Sequence, residues 1–109
     1  MKDAIFHSKA LEALRTFPDG ARRGIGKAIR DIQRGLVLEM PLSRPMPSVG
    51  IGVNEIRMKD SHGIYRTFYY TKSANAILVF HAFVKKTQKT PQRDIELAKQ
   101  RLREMLYEK

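Results

Sequence analysis

Neither cysteine nor tryptophan occurs in the 109 residues, histidine occurs three times, and acidic side chains number 11 against 21 lysines and arginines. The lack of cysteine excludes disulfides, thiol nucleophiles and zinc–thiolate sites together, and agrees with a reducing compartment. His7, His62 and His81 do not fall at metal-ligand spacings, and no HExxH pattern is present, so a metal site is not expected. Glu55 and Asp60 are the only acids in the stretch from Val53 to Pro91, which speaks against paired-carboxylate chemistry there. A GxSxG nucleophile motif is also missing. No apolar run approaches the length of a membrane span, and the opening MKDAIFHSKAL has no signal-peptide core, so a cytoplasmic protein without a membrane partner is expected.

What remains is strongly basic. A net charge of +10 and a pI near 10.2 point first to nucleic acid, then to an acidic protein. The length and an apolar content of 42% support one hydrophobic core, hence a single domain over residues 1–109.

Three apolar runs, Val53 to Met58, Tyr65 to Tyr70 and Ile77 to Val84, are rich in β-branched and aromatic residues and separated by short turn-like segments. They predict an antiparallel meander. Lys2 to Phe6 predicts a short first strand, and Ser8 an N-cap for a helix over Lys9 to Thr16. After the break at Phe17, Pro18, Asp19 and Gly20, a second helix is expected over Ala21 to Gly35. There Ile25, Ile29, Ile32 and Leu36 form one stripe, and Arg23, Lys27, Arg30 and Arg34 form the opposite, solvated face. GARRGIGKA does not qualify as a phosphate loop, because its spacing is wrong and Ala28 stands where Ser or Thr must bind magnesium. Five prolines and glycines between Val37 and Gly52 predict an irregular connection. Thr90 and Pro91 open a last helix to about Tyr107, with Ile95, Ala98, Leu102 and Met105 inward. The expected fold class is α+β: an N-terminal strand and helical hairpin packed on a small antiparallel sheet, then a C-terminal helix, with the helices against one face.

The charges of the meander are lopsided, with Arg57, Lys59, Arg66, Lys72, Lys85, Lys86 and Lys89 against Glu55 and Asp60. Such a set can cleave RNA without a metal or cofactor, because the substrate supplies its own nucleophile, the 2′-hydroxyl. The protein has then to accept that proton, stabilise charge on the phosphoryl oxygens and protonate the leaving 5′-oxygen. Arginine suits the second task through its planar, permanently charged fork. Lysine suits the others where neighbouring positive charge favours its neutral form. Arg57, Arg66, Lys85 and Lys86 are the candidate catalytic residues, and Lys59, Tyr65, Lys72 and Lys89 the candidate nucleic-acid contacts. His81, inside an apolar run, is expected to be a satisfied core residue.

EIR at Glu55 to Arg57, YRTFYY at Tyr65 to Tyr70, and FHAFVKKTQKTP at Phe80 to Pro91 followed by DIELAKQRL resemble the HigB-like branch of the RelE/ParE superfamily of bacterial toxins. That resemblance implies a RelE-like fold and an endoribonuclease that cuts mRNA on the ribosome, held inactive by a helix-turn-helix, HigA-like antitoxin. It implies a monomeric toxin that enters larger assemblies with its antitoxin. It places Arg57, Arg66, Lys85 and Lys86 at positions where related toxins bind and activate the scissile phosphate. Glu55 departs from relatives that carry a basic residue there. ParE-like inhibitors of DNA gyrase share the fold, so a non-nuclease gyrase inhibitor is the alternative.

Overall fold

The computed structural model describes residues 1–86 and 89–107, so Thr87 and Gln88 of the KKTQKTP stretch, and the last two residues, lie outside the description. The chain runs β1 (Asp3–Phe6), α1 (Ser8–Thr16), α2 (Asp19–Gln33), β2 (Ser43–Pro45), β3 (Val53–Asp60), β4 (Gly63–Tyr70), β5 (Ala76–Lys85) and α3 (Gln92–Tyr107). The five strands form one sheet in the order β1-β5-β4-β3-β2. β3, β4 and β5 are the expected meander, but β1 joins β5 in parallel, so the sheet is mixed.

Helical periodicity places α2 well. Ile25, Ile29 and Ile32 are buried, while Arg23, Lys27, Arg30 and Arg34 are exposed on the other side. Leu36 falls outside the helix and faces solvent, because the chain leaves the helical path through Gly35, whose φ of +96° suits glycine alone. The cap of α1 is His7, not Ser8: its Nδ1 accepts the Lys9 backbone N–H at 3.1 Å.

The helices do not share one face. α1 and α2 pack with Ile56, Tyr65, Tyr69, Ile77 and Val79 on one side of the sheet, whereas Ala98 and Leu102 of α3 pack with Val53, Phe68, Leu78 and Phe80 on the other. β3, β4 and β5 therefore bury both sets of their alternating side chains near the sheet centre. Full burial of a side chain such as Ile25, Ile56 or Phe80 contributes roughly 1.5–3 kcal/mol, so two such clusters hold the sheet from both sides.

β2 lies in the stretch expected to be irregular. It survives between prolines because its side chains are bound to the sheet: Ser43 Oγ lies 2.7 Å from the Tyr69 hydroxyl, and Arg44 Nε donates to Glu55 Oε1 at 2.9 Å. At the other end of the last strand pair, Phe68 faces His81 while Tyr69 faces Val79, a bulge that leaves Phe80 as the extra residue. Phe80 and His81 thus both meet α3, and the alternation of everything after them is reversed.

Candidate nucleic-acid interface

Because cross-strand partners project to the same side, the register defines three rows on the α3 side of the sheet. Lys59, Ile64 and Lys85 form the first, Arg57, Arg66 and Phe83 the second, and Glu55, Phe68 and His81 the third. α3 docks over the third row. In the first two, Lys59, Arg57 and Lys85 of β3 and β5 lie on one side of the sheet, with Arg66 of β4 buried between them. The β5 bulge is what turns Lys85 to this side.

Glu55 is the hub of the surface. Its carboxylate has no exposure to solvent, and Oε1 accepts from Arg44 Nε of β2 at 2.9 Å. Arg66 Nη1 lies 3.2 Å from each of its oxygens, and Arg57 Nε lies 3.5 Å from Oε1. One carboxylate thus faces three guanidinium groups, leaving two positive charges in excess. Burial, followed by the neighbouring charges of Arg44 and Arg66, lowers the pKa of Arg57 from its ordinary value, and Glu55 opposes that shift. The group stays charged at neutral pH.

The three arginines differ in access. The Arg66 side chain is completely buried and reaches Thr90 Oγ1 at 3.5 Å, whereas the Arg57 side chain keeps 15% of its surface and Arg44 keeps 30%. Arg66 therefore faces neither solvent nor an open cleft, and it supplies charge from behind. Arg57 is the arginine of the central row whose side chain keeps some exposed surface. It also lines a shallow, largely apolar recess with Pro41, Leu42, Lys59 and Ile64.

The remaining expected site residues divide. Lys59 and Lys85 stand on this surface, and Lys86 and Lys89 are exposed in the segment that follows β5. Tyr65 does not join them. It is buried on the opposite face, with its ring 5.0 Å from that of Phe17, because odd-numbered positions of β4 point toward the helical hairpin. Lys72 lies just past the far end of β4 from Lys59, with its stem against Gly52. Thr90, expected as a helix cap, instead meets Arg66, and α3 begins after Pro91. Arg44, the contacts of Glu55 with Arg44 and Arg66, and the partly exposed ring of Phe83 did not emerge from the sequence. A charged residue between Ser43 and Pro45 carries no recognisable signal.

His81 fastens α3 to the sheet. Arg101 Nη1 donates to its Nδ1 at 2.9 Å, so the opposite nitrogen, Nε2, carries the proton and donates to Asp94 Oδ1 at 2.9 Å. Burial lowers the His81 pKa first, with Arg101 and more distant His7 acting the same way against the opposing hydrogen bond from Asp94. A group with a depressed folded pKa resists the proton that the unfolded chain takes up below its ordinary value of 6.5. Its contribution to stability is fully present above that pH and is lost as pH falls toward the folded pKa. The melting temperature should therefore decline between about pH 7 and pH 5, and His81→Gln should flatten that part of the profile. A wild-type melting temperature that is constant over this range would contradict the assignment.

Among the described residues no three His, Asp or Glu side chains come together as a metal site requires, and no helix is long and apolar enough to cross a membrane. The family described as "Phage derived protein Gp49-like (DUF891)" matches residues 12–103. Among solved structures, the crystal structure of the isolated E. coli RelE toxin, P21 form, superposes with a TM-score of 0.54 at 18% sequence identity, covering 85% of this chain and 92% of that one. At this identity the likeness speaks for the fold: a mixed α+β arrangement similar to that of RelE. No curated protein sequence matches the chain.

Proposed function

From the premise that the chain belongs to the Gp49-like family of phage-derived proteins, we propose that it is the toxin of a toxin–antitoxin pair and a metal-independent endoribonuclease that cuts mRNA on the ribosome. The observation that carries this reading is the basic sheet surface, where Arg57, Arg66, Lys59 and Lys85 are brought together from three strands around a buried carboxylate. The RelE-like fold and the KKTQKTP resemblance support it.

In the proposed reaction Arg57 receives the non-bridging oxygens of the scissile phosphate, with Arg66 adding positive charge from beneath. The 2′-oxygen forms a bond to phosphorus as the bond to the 5′-oxygen breaks. One proton leaves the 2′-hydroxyl and another reaches the 5′-oxygen. Lys59 and Lys85, in the row next to Arg57, are the groups assigned to these transfers, while Lys86 and Lys89 hold the strand. Phe83, beside Arg66 in the central row, offers a ring for a base.

An acidic helix-turn-helix antitoxin is the proposed partner, since an excess of ten positive charges calls for a neutralising surface. A short pulse of expression, followed by mapping of transcript 5′ ends, tests the function. New ends within translated messages are expected. Intact messages with DNA-damage signalling would favour gyrase inhibition instead.

A further inference from the structure

We propose that the groove between α1 and α2 is the docking site for a protein segment that carries an apolar row flanked by carboxylates. The proposal rests on the toxin–antitoxin reading given above, in which that segment belongs to the antitoxin.

The helical hairpin does not close over its own apolar side chains. Phe6 of β1, Leu11 and Leu14 of α1, and Ile25 and Ile29 of α2 line a groove whose rim carries Arg15 and Arg22. Its volume of about 210 Å³ lies below the roughly 300–1,000 Å³ of small-molecule clefts. Inserted side chains suit it better. Gly26 is shared between this groove and a basic notch lined by Asp19, Arg22, Arg23 and Arg30. The one acid there, Asp19, is held by Arg22 at 2.6 Å, and the charges of Arg15, Arg23 and Arg30 stand exposed around it. An apolar floor beside a positive rim complements an amphipathic acidic segment. An RNA backbone would use the charges and leave the floor empty.

Gly26 points to the same place independently. Glycine inside a helix destabilises it relative to alanine and permits a close approach to the backbone. For Gly24 that approach is internal, because a Cβ there would stand 2.9 Å from the Met58 sulfur of β3. At Gly26 a Cβ would meet only Arg30 Nη1 at 3.8 Å, an ordinary contact. The fold of this chain therefore makes no use of the missing side chain. A segment lying across the saddle between groove and notch does, since it can then pack directly on the helix backbone.

The partner for the test is the protein whose co-expression restores growth, and its affinity for each purified variant is measured by calorimetric titration beside a thermal melt. Gly26→Ala should raise the melting temperature of the free protein by roughly 2–6 °C. Gly26→Met, a good helix former that fills the saddle, should weaken the complex on the order of 100-fold. Arg23→Glu with Arg30→Glu leaves the groove in place and reverses its rim, and should weaken the complex to a similar degree, on the order of 100-fold. Both should still cleave message when free, since the hairpin lies on the other side of the sheet from Lys59 and Lys85.

Wild-type affinity in folded Gly26→Met or in the double reversal overturns the proposal and leaves the toxin–antitoxin reading standing. A melting temperature that does not rise in Gly26→Ala overturns it too, because the glycine then serves the fold. So does a double reversal that binds the partner normally and loses its hold on ribosomes, which makes the face an RNA contact. Should Gly26→Met fail to fold, Gly26→Gln takes its place. Failure to find any protein whose co-expression restores growth overturns both the proposal and the reading beneath it.

Discussion

Arg57→Met is expected to abolish growth inhibition while leaving the fold intact. Arg57 is the arginine of the central row with a path to solvent, and it projects from the middle of β3 between Glu55 and Lys59. Its aliphatic stem packs on the sheet, and methionine reproduces much of that stem. What disappears is the planar charged group that, in the proposed reaction, meets the negative charge building on the phosphoryl oxygens. Removal of one such donor typically costs about 3 to 4 kcal/mol of barrier, a rate loss on the order of 100- to 1000-fold. Arg57→Lys keeps the charge without the fork and should recover only part of the activity. Cleavage of ribosome-bound message, measured beside a thermal melt, checks both variants. Wild-type cleavage by a well-folded Arg57→Met would remove this residue from the site.

Arg66→Ala should behave differently, because its largest effect is on stability. Arg66 is the largest fully buried side chain among the described residues, and its guanidinium lies against both oxygens of Glu55. Truncation opens a cavity and deprives a buried carboxylate of its closest β4 partner. Breaking a buried pair in this way costs about 3–5 kcal/mol, a large part of the stability of a domain of this size. Replacing both partners at once, as in Arg66→Met with Glu55→Leu, removes the charges together and should restore much of the lost stability without restoring activity. Denaturant melts of the single and double variants decide this. A double variant no more stable than Arg66→Ala would show that packing, not the ion pair, dominates the site.

The contrast between these arginines marks how far the sequence could be read. Both sat in strand patterns and both were candidate catalytic residues. Period-two alternation within each strand was enough to group Arg57 with Glu55 and Lys59, and Arg66 with Phe68. It could not say that the two groups face the same side, because that depends on the register of β3 against β4. Nor could it show that Arg66 meets Thr90, 24 residues along the chain, and is fully buried. The helices were more legible. Ile25, Ile29 and Ile32 announce α2 through their spacing alone, whereas the placement of α3 on the opposite face required knowing that the strands are apolar on both sides.

Three placements that the sequence did not foretell have local causes. Tyr65 looked like a base-stacking residue because aromatic side chains carry the same signal in a core and on a binding surface, and only its parity with Tyr69 in β4 assigns it to the core beside Phe17. Lys85 reached the basic surface through a bulge at Phe80, which nothing in the stretch from Ile77 to Phe83 foretells. Without that extra residue Lys85 would point toward the helical hairpin. β2 was hidden by its prolines and is held by Ser43 and Arg44, whose partners lie 26 and 11 residues away.

The most direct test of the proposed chemistry is the identity of the ends left on cleaved RNA. Attack by the 2′-oxygen with departure of the 5′-oxygen predicts an upstream fragment ending in a 2′,3′-cyclic phosphate, or the monophosphate that follows its opening, and a downstream fragment beginning with a 5′-hydroxyl. Purified protein, programmed ribosomes and a labelled message suffice, with end-specific kinase and ligase treatment reading the products. A 5′-phosphate and a 3′-hydroxyl, the ends expected from attack by water with the 3′-oxygen leaving, would contradict the account.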